Sequence, residues 1–300
     1  MGDLLFGTSS WSERTWEGVF YPTGTPPGQY LAHYATRFPT VEVDSTYYRI
    51  PSRSMVAGWA ARTPEGFLLS AKFPRSVVHA GAGERPDAAA VLVRDRVWPD
   101  VARFLDAMAL LGPKCGPLVL QLPYFNRAAF PSVEPFLERL DAFLAALPSG
   151  ATFRYGVEVR NRDWVAAPLL EVLRRHRVAL VLVDLVYMPH PAETAAHLDL
   201  VTTDFVYARL IGDRKAVDAL TDRFDRVVID QAARLARWAE LLRALRDRVP
   251  RTLVYANNHY AGHGPATIRE LERLVDPAIA PPSEPCEDRA PRGQIAFRWG

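Results

Sequence analysis

Charged side chains recur in this sequence at the ends of short apolar runs. Three carboxylates and three cations hold such positions: Glu42, Glu158, Asp184, Lys72, Arg160 and Arg209. Two carboxylates in unlike settings can keep different protonation states, so Glu158 and Asp184 are the candidates for general acid and base. Glu42 and Lys72 are further candidate catalytic residues, and the cations are suited to hold an anion. These residue types indicate acid–base chemistry on a small anionic molecule.

Hydrogen-bonding and aromatic residues lie at or just beyond the ends of the same runs. Aromatic faces combined with many polar groups suit a hydroxyl-rich or ring-shaped ligand, such as a sugar or a nucleoside. In this interpretation Gln121 and Asn257 orient the ligand, while Trp11 and Tyr47 stack on it. The full set of expected ligand-binding residues is Ser9, Trp11, Tyr47, Gln121, Arg160, Trp164, Tyr207, Arg209, Asn257, Asn258 and His259.

The runs that carry these residues number eight, and most are continuously apolar, as is typical of buried parallel strands. They cover residues 4–9, 40–45, 67–73, 117–122, 154–160, 178–184, 204–211 and 252–257. Segments of helical period lie near 29–37, 53–62, 98–112, 132–147, 165–176, 192–199, 230–248 and 265–275. A strand followed by a helix, repeated about eight times, predicts a single (β/α)8 TIM-type barrel. A doubly wound open sheet is the alternative, because sequence period does not show closure.

In a barrel of this kind the chemistry lies at the carboxyl ends of the strands. Side chains two apart share a face of a strand, so Glu158 and Arg160, like Tyr207 and Arg209, are expected to point into the barrel. Burying an unpaired charge is costly, so the six charged residues should converge in one internal ion-pair network. The alternative is a polar plug that sets strand register and binds nothing.

Two segments exceed a minimal barrel. Residues 74–97 form a long loop after the third strand, which would either close over the barrel mouth or be an insertion without a role. Residues 277–300 form a Pro-rich tail after a barrel domain of residues 1–276. A glycine-rich stretch at 257–267 ends with Gly264 and Pro265 at the start of a helix, a place where barrels hold phosphate; a simple tight turn is the alternative.

Composition limits the function classes. The 300 residues are 49% hydrophobic, which is typical of a chain with a buried core. The net charge is only +2, so no global field draws the chain to nucleic acid or anionic lipid. No apolar run reaches the roughly 20 residues that span a bilayer, and the two cysteines are far apart, so a cytoplasmic protein is expected. No dinucleotide, Walker or zinc-protease motif occurs, so no cofactor is required. A divalent metal held by His79, His259 and His263 with carboxylates is an open alternative, and the oligomeric state is left open.

Several motifs resemble one known family. They are Phe6-Gly7-Thr8-Ser9-Ser10-Trp11, Phe38-Pro39-Thr40-Val41-Glu42-Val43-Asp44-Ser45-Thr46-Tyr47-Tyr48, Ala71-Lys72-Phe73-Pro74, Gln121-Leu122-Pro123, Val157-Glu158-Val159-Arg160 with Trp164, and Val254-Tyr255-Ala256-Asn257-Asn258-His259. In this order they resemble the YecE-like family, the domain of unknown function numbered seventy-two. The resemblance implies a TIM-type barrel of bacterial or archaeal cytoplasmic origin and brings no established reaction. The chain departs from the family pattern at Asp44, where an asparagine is usual, and at 161–163.

The leading hypothesis is therefore an enzyme, hydrolase-like or isomerase-like, that acts on a small polyhydroxylated, phosphorylated or otherwise anionic ligand at the barrel mouth. The alternative is a barrel that binds or processes nucleic acid, with arginines following phosphates and aromatics stacking on a base. A third hypothesis is a non-catalytic scaffold that binds a ligand and loses nothing when its acids become amides.

Overall fold

The computed structural model describes residues 1–80, 85–148 and 153–278 and contains one eight-stranded parallel sheet. The strands are β1 (Asp3–Thr8), β2 (Thr40–Val43), β3 (Leu68–Lys72), β4 (Cys115–Gln121), β5 (Tyr155–Glu158), β6 (Ala179–Leu185), β7 (Phe205–Gly212) and β8 (Arg251–Ala256). All eight expected strands are confirmed, with ends that shift by a few residues. Their order is β1-β8-β7-β6-β5-β4-β3-β2, so every strand lies beside its neighbour in sequence and β8 returns to β1.

The sheet curls into a nearly closed barrel whose seam lies between β1 and β2. One parallel bridge, Ser9 with Glu42, joins the two strands there. Gly7 makes the close approach feasible, since a Cβ atom at this position would lie 2.2 Å from the Thr40 carbonyl oxygen. The TIM-type barrel is confirmed, and the open-sheet alternative is wrong.

Helices fill the connections between the strands. They are α1 (Tyr30–Tyr34), α2 (Arg53–Ala61), α3 (Arg75–Val78), α4 (Arg94–Met108), α5 (Glu134–Ala146), α6 (Ala167–Arg175), α7 (Pro191–Ala195), α8 (Arg214–Asp218), α9 (Ala232–Arg246) and α10 (Gly264–Val275). The expected helices are present, although the one expected at 98–112 begins four residues earlier. Two short ones, α3 and α8, lie in segments where none was expected.

Alternation along the strands divides the apolar core into two parts. Val41, Val43, Val157 and Val159 face outward and belong to the large core beneath the helices. Val119, Val181, Tyr207 and Tyr255 face inward and fill the lower barrel with Leu68, Leu253 and Phe205. The Tyr255 hydroxyl lies 2.7 Å from Thr40 Oγ1 and 2.9 Å from Ser70 Oγ, which pairs its polar atom inside this core. The lower barrel is therefore filled mainly by apolar and aromatic side chains.

The long connection after β3 is anchored at both ends by buried apolar residues, Val77 and Val78 in α3 and Val91 and Leu92 before α4. Residues 81–84 of this connection, and the Pro-rich tail from 279 onward, lie outside the described residues. Closure of the loop over the mouth and the domain boundary at 276 stay predictions. In the described ranges, no helix is both long enough and apolar enough to cross a membrane.

Candidate functional site

Arg209, on β7, lies at the centre of a buried charge network inside the carboxyl half of the barrel. Its guanidinium reaches across the barrel axis to Glu42 on β2, with Nη2 2.9 Å from Oε1 and Nε 2.8 Å from Oε2. On the other side its Nη1 donates to Glu158 Oε2 on β5 and, at 2.9 Å, to Gln121 Oε1 on β4. One arginine thus holds together carboxylates from strands that are far apart in sequence.

Two further cations and one hydroxyl complete the network. Lys72 Nζ lies 3.4 Å from Glu42 Oε1, and Arg160 Nε donates to Glu158 Oε1 at 3.0 Å. The Tyr207 hydroxyl donates to Glu42 Oε2 at 2.7 Å. The expected internal ion-pair network is confirmed for five of its six charged members, and the expected ligand-binding residues Gln121 and Tyr207 belong to it as well.

The charges are ordered along the barrel axis. The carboxylates of Glu42 and Glu158 are fully sealed from solvent, and the Arg209 side chain is only 2% exposed. The Lys72 side chain keeps 9% of its surface and that of Arg160 keeps 24%. The face of the network that solvent reaches is therefore cationic.

The network displaces the pKa values of its members in directions that follow from their neighbours. Burial alone would raise the pKa of Glu42, but Arg209, Lys72 and the Tyr207 hydroxyl bring it down to about 2. Burial likewise opposes ionisation of Glu158, and Arg209 and Arg160 outweigh it, so its pKa is also lowered. Both sealed carboxylates are thus ionised at neutral pH, which makes them fixed counter-ions.

Two ionisable groups near the opening have pKa values displaced toward their neutral forms. Burial, followed by the charge of Arg209, lowers the pKa of Lys72, although Glu42 works against this. Burial raises the pKa of Asp44, which follows β2, against the favourable charge of Lys72. Asp44 was not among the expected site residues. The sequence signal for Asp44 is its spacing of two residues from Glu42, which places both side chains on the same face of the chain at β2.

Asp184 is the exception, and its expected place in the network is wrong. Residues 179, 181 and 183 of β6 point into the barrel, so Asp184 points outward, beneath α9. There its Oδ2 accepts from Trp238 Nε1 and from the Tyr260 hydroxyl, each at 2.9 Å, and Arg234 donates to Oδ1. Because this fully buried carboxylate lies on the far side of the strand, it cannot share proton transfer with Glu158.

Besides Arg160, four expected residues lie on the loops after β1, β2 and β5. Ser9 and Tyr47 lie at the network, and Trp11 and Trp164 pack elsewhere. Ser9 is buried at the seam beside Glu42, and its hydroxyl has no hydrogen-bond partner in the described part of the chain. The Tyr47 hydroxyl lies 2.8 Å from His79 Nε2, and Arg160 lies near enough to oppose the rise in the pKa of Tyr47 that burial causes.

The two tryptophans contribute mainly to packing. The Trp11 ring meets Trp59 edge to face, with 5.8 Å between their centroids. The Trp164 ring stacks on Phe136 at 4.5 Å and is also stacked with Phe125. Both indoles are therefore partly buried against aromatic neighbours.

The loop after β8 uses its polar residues to shape itself. Asn257 Oδ1 accepts from the His259 backbone N–H at 2.9 Å, and His259 Nε2 lies 3.1 Å from Asp218 Oδ1. Asn258 Oδ1 accepts from the Gly264 N–H at 2.9 Å, which satisfies one amide of the α10 N-terminus. The structure therefore does not bring Asn257, Asn258 and His259 together with Glu158.

The metal site considered as an alternative has no ligand set in the described ranges. In residues 1–80, 85–148 and 153–278, no group of three or more His, Cys, Asp or Glu side chains is placed to hold a metal ion. His79 is beside Tyr47, His259 is beside Asp218, and the His263 ring packs on Trp16 at 6.0 Å. The three histidines thus have separate surroundings.

Fold and site together define a (β/α)8 barrel with a buried charge network at the carboxyl ends of its strands. Comparison with known proteins places the chain more narrowly. The family model described as "Protein of unknown function DUF72" matches residues 5–291, and the chain belongs to this family.

Relatives agree with this assignment. The "UPF0759 protein YecE" of Escherichia coli K12 is 31% identical over 163 residues, which are 54% of this chain, and the same protein of strain O157:H7 matches equally. The chain spans about half the length of the curated relatives it matches, 50% in each case. A DUF72 family protein of Enterococcus faecalis V583 superimposes with a TM-score of 0.65 at 20% identity, covering 91% of this chain and 95% of the other. A DUF72 family protein of Thermotoga maritima gives a TM-score of 0.62 at 24% identity, with coverages of 91% and 98%.

Proposed function

We propose that this barrel is an enzyme that binds a small, hydroxylated, anionic ligand at its mouth and moves a proton on it by acid–base chemistry. The order of charges along the axis carries the proposal. Glu42 and Glu158 are sealed below, while Lys72 and Arg160 reach the opening. A ligand that enters from solvent meets cations already held in place by buried counter-ions, which is the preorganised arrangement that favours an anion.

The charge balance supports an anion as well. Lys72, Arg160 and Arg209 face two sealed carboxylates, so one positive charge is left over. In the free protein Asp44 can balance it, although burial raises the pKa of Asp44 and favours its neutral form. An anionic ligand takes over this balancing role and favours protonation of Asp44 further, since like charges in one site disfavour each other's ionisation.

We assign the proton transfer to Lys72 and Asp44, in place of Asp184. The lowered pKa of Lys72 and the raised pKa of Asp44 bring an acid and a base toward neutral pH at the same opening. Glu158 and Glu42 hold the cations, Arg160 contacts the anion, and Gln121 positions Arg209. The first ligands to try are phosphorylated sugars, since they combine hydroxyl groups with the negative charge that this site favours.

Ligand binding is tested by thermal melting with neutral sugars and their phosphorylated counterparts. A ligand at 100 times its Kd stabilises the native state by about 2.7 kcal/mol, which raises the melting temperature by several degrees. We expect phosphorylated sugars to raise the melting temperature and Arg160→Met to abolish this rise. Arg162 lies on the same loop with a side chain that is 69% exposed, so the matched control Arg162→Met should retain the rise. Equal stabilisation by neutral sugars, or an unchanged rise with Arg160→Met, would refute the anion site.

Catalysis is tested by incubating a stabilising ligand with the protein in D2O and following its carbon-bound protons by NMR. Proton transfer predicts exchange that Lys72→Met and Asp44→Asn abolish and Arg162→Met retains. Binding without any change in the ligand would support the third hypothesis, a ligand-binding scaffold, and contradict the enzyme.

One observation favours nucleic acid as a second candidate ligand. Tyr48, Tyr124 and Tyr187, on the loops after β2, β4 and β6, are 77%, 61% and 50% exposed. Exposed aromatic rings near arginines stack on unpaired bases. This candidate predicts binding of single-stranded oligonucleotides that weakens steeply with salt and with Tyr→Ala changes at the three positions. Salt-independent binding, or none, would exclude it.

A further inference from the structure

Lysine is rare in this chain. Of its 36 cationic side chains, 33 are arginine and only Lys72, Lys114 and Lys215 are lysine. The network inside the barrel nevertheless combines one lysine with Arg160 and Arg209. A guanidinium stays charged under all ordinary conditions, whereas an amine can lose its proton and act as a nucleophile. An amine at this position therefore provides chemistry that arginine does not.

The three lysines have different surroundings. Lys114 donates to the backbone carbonyls of Ala60 and Thr63 at 2.7 and 2.5 Å, which occupies its ammonium in holding a turn. Lys215 is exposed on α8. Lys72 Nζ has its ion pair with Glu42 at 3.4 Å and forms no hydrogen bond to any residue within the described ranges. Lys72 is thus the buried lysine whose nitrogen is held in the described part of the chain by an ion pair and by no hydrogen bond.

The backbone of Lys72 is nevertheless fixed. Its N–H donates to Thr46 Oγ1 at 3.1 Å, and the same hydroxyl lies 2.8 Å from the Lys72 carbonyl oxygen. Thr46 belongs to the turn after β2, so the end of β3 is tied to its neighbour. The side chain leaves this fixed point toward the opening, near enough to Asp44 for each charge to act on the pKa of the other.

We propose that Lys72 forms an imine with the carbonyl carbon of a small anionic aldehyde or ketone that Arg160 holds at the barrel mouth. This inference rests on the proposed function and specifies its substrate class. Burial and Arg209 increase the neutral fraction of the amine, and each unit by which its pKa falls raises that fraction about tenfold at neutral pH. An amine activated by desolvation and a neighbouring cation is the arrangement that imine-forming lysines use.

The step is balanced by groups present at the opening. The Nζ lone pair attacks the carbonyl carbon, and the C=O π electrons move to oxygen. One proton from Nζ and one from the Asp44 carboxyl leave with that oxygen as water. The C=N bond forms with the remaining N–H as an iminium, and Asp44 becomes a carboxylate beside it. The raised pKa of Asp44 makes it the acid available for this step.

The experiment traps the imine by reduction. The full-length protein is incubated with dihydroxyacetone phosphate, glyceraldehyde 3-phosphate or glyoxylate and sodium cyanoborohydride, then digested, and adducts are located by mass spectrometry. With only three lysines and the terminal amine to compare, the reacting position is unambiguous. We expect at least about tenfold more adduct on Lys72 than on Lys215, because a probe held beside Lys72 reacts at a raised effective concentration. The lowered pKa of Lys72 acts in the same direction, since it increases the neutral fraction of the amine. Neutral dihydroxyacetone should label Lys72 less than its phosphate does.

Controls separate this inference from the proposed function. Lys72→Arg keeps the charge and removes the amine, so it should lose the adduct, while Lys215→Arg should keep labelling at Lys72. Equal labelling of Lys72, Lys215 and the terminal amine in the wild-type protein overturns the imine. A probe that raises the melting temperature through Arg160 but leaves Lys72 unlabelled also overturns it, while the anion site stands. Probes that neither stabilise nor label contradict both proposals.

Discussion

Replacing Glu42 with glutamine is expected to remove one defined part of the acid sensitivity of the folded state. The network lowers the pKa of Glu42 from its ordinary value of 4.5 to about 2. Because the folded state binds this proton less readily than the unfolded chain, the group contributes stability above pH 4.5 that is lost as the pH falls through 2. Between pH 7 and pH 3 this loss amounts to about 2 kcal/mol for the single carboxylate.

The measurement is urea unfolding of the wild-type protein and Glu42→Gln at both pH values, followed by tryptophan fluorescence. The variant starts from a lower stability at pH 7, since Lys72 loses its counter-ion, so each protein is compared with itself. The wild-type protein should lose about 2 kcal/mol more than Glu42→Gln between the two pH values. Asp204→Asn is the control, because Asp204 is 60% exposed in its pair with Arg154 and should behave like the wild type. If Glu42→Gln lost as much free energy as the wild type, the buried network would not hold Glu42 ionised.

Three further outcomes are expected. Asp184→Asn should lower the free energy of unfolding by about 1–3 kcal/mol, because it removes the charge that Arg234 pairs with. The variant should keep its ligand-induced stabilisation, and loss of that stabilisation in melting curves would mean that Asp184 belongs to the site. Gly7→Ala should destabilise by about 2 kcal/mol or more in urea unfolding, since its Cβ would lie 2.2 Å from the Thr40 carbonyl oxygen, and a wild-type stability would mean that the seam is open. His263 should stay neutral down to a pKa of about 4 because burial disfavours its charge, and an NMR titration with a midpoint near 6.5 would contradict that burial.

The barrel itself was predictable because its signal is local. Each strand is a short apolar run and each helix a periodic segment, so counting them suffices to predict the architecture. The inward direction of Glu42, Glu158 and Arg209 was predictable for the same reason, since a polar residue two positions from another polar residue marks one face of a strand. All three lie inside, as expected.

Asp184 shows where this reasoning fails. Residues 178–183 are apolar without interruption, so the sequence of β6 contains no alternation from which a face could be read. The pairing of β6 with β7 also shifts register between Asp184 and Leu185. Only the packed position of α9, which brings Arg234 and Trp238 against the outside of β6, shows which way this carboxylate points.

The sequence by itself thus determined the number and order of the strands, the longer helices between them and most of the residues that line the barrel, because these depend on periods of two and 3.6 residues along the chain. The tertiary structure alone decided which charges pair, which are sealed and which reach solvent. Glu42 and Arg209 are 167 positions apart, and their contact exists only because the sheet closes. Closure of the barrel also buries Glu42 and Glu158 as fixed counter-ions and leaves Lys72 and Asp44 at the opening. The pKa values of these groups depend on desolvation and neighbouring charge, which only the whole fold sets.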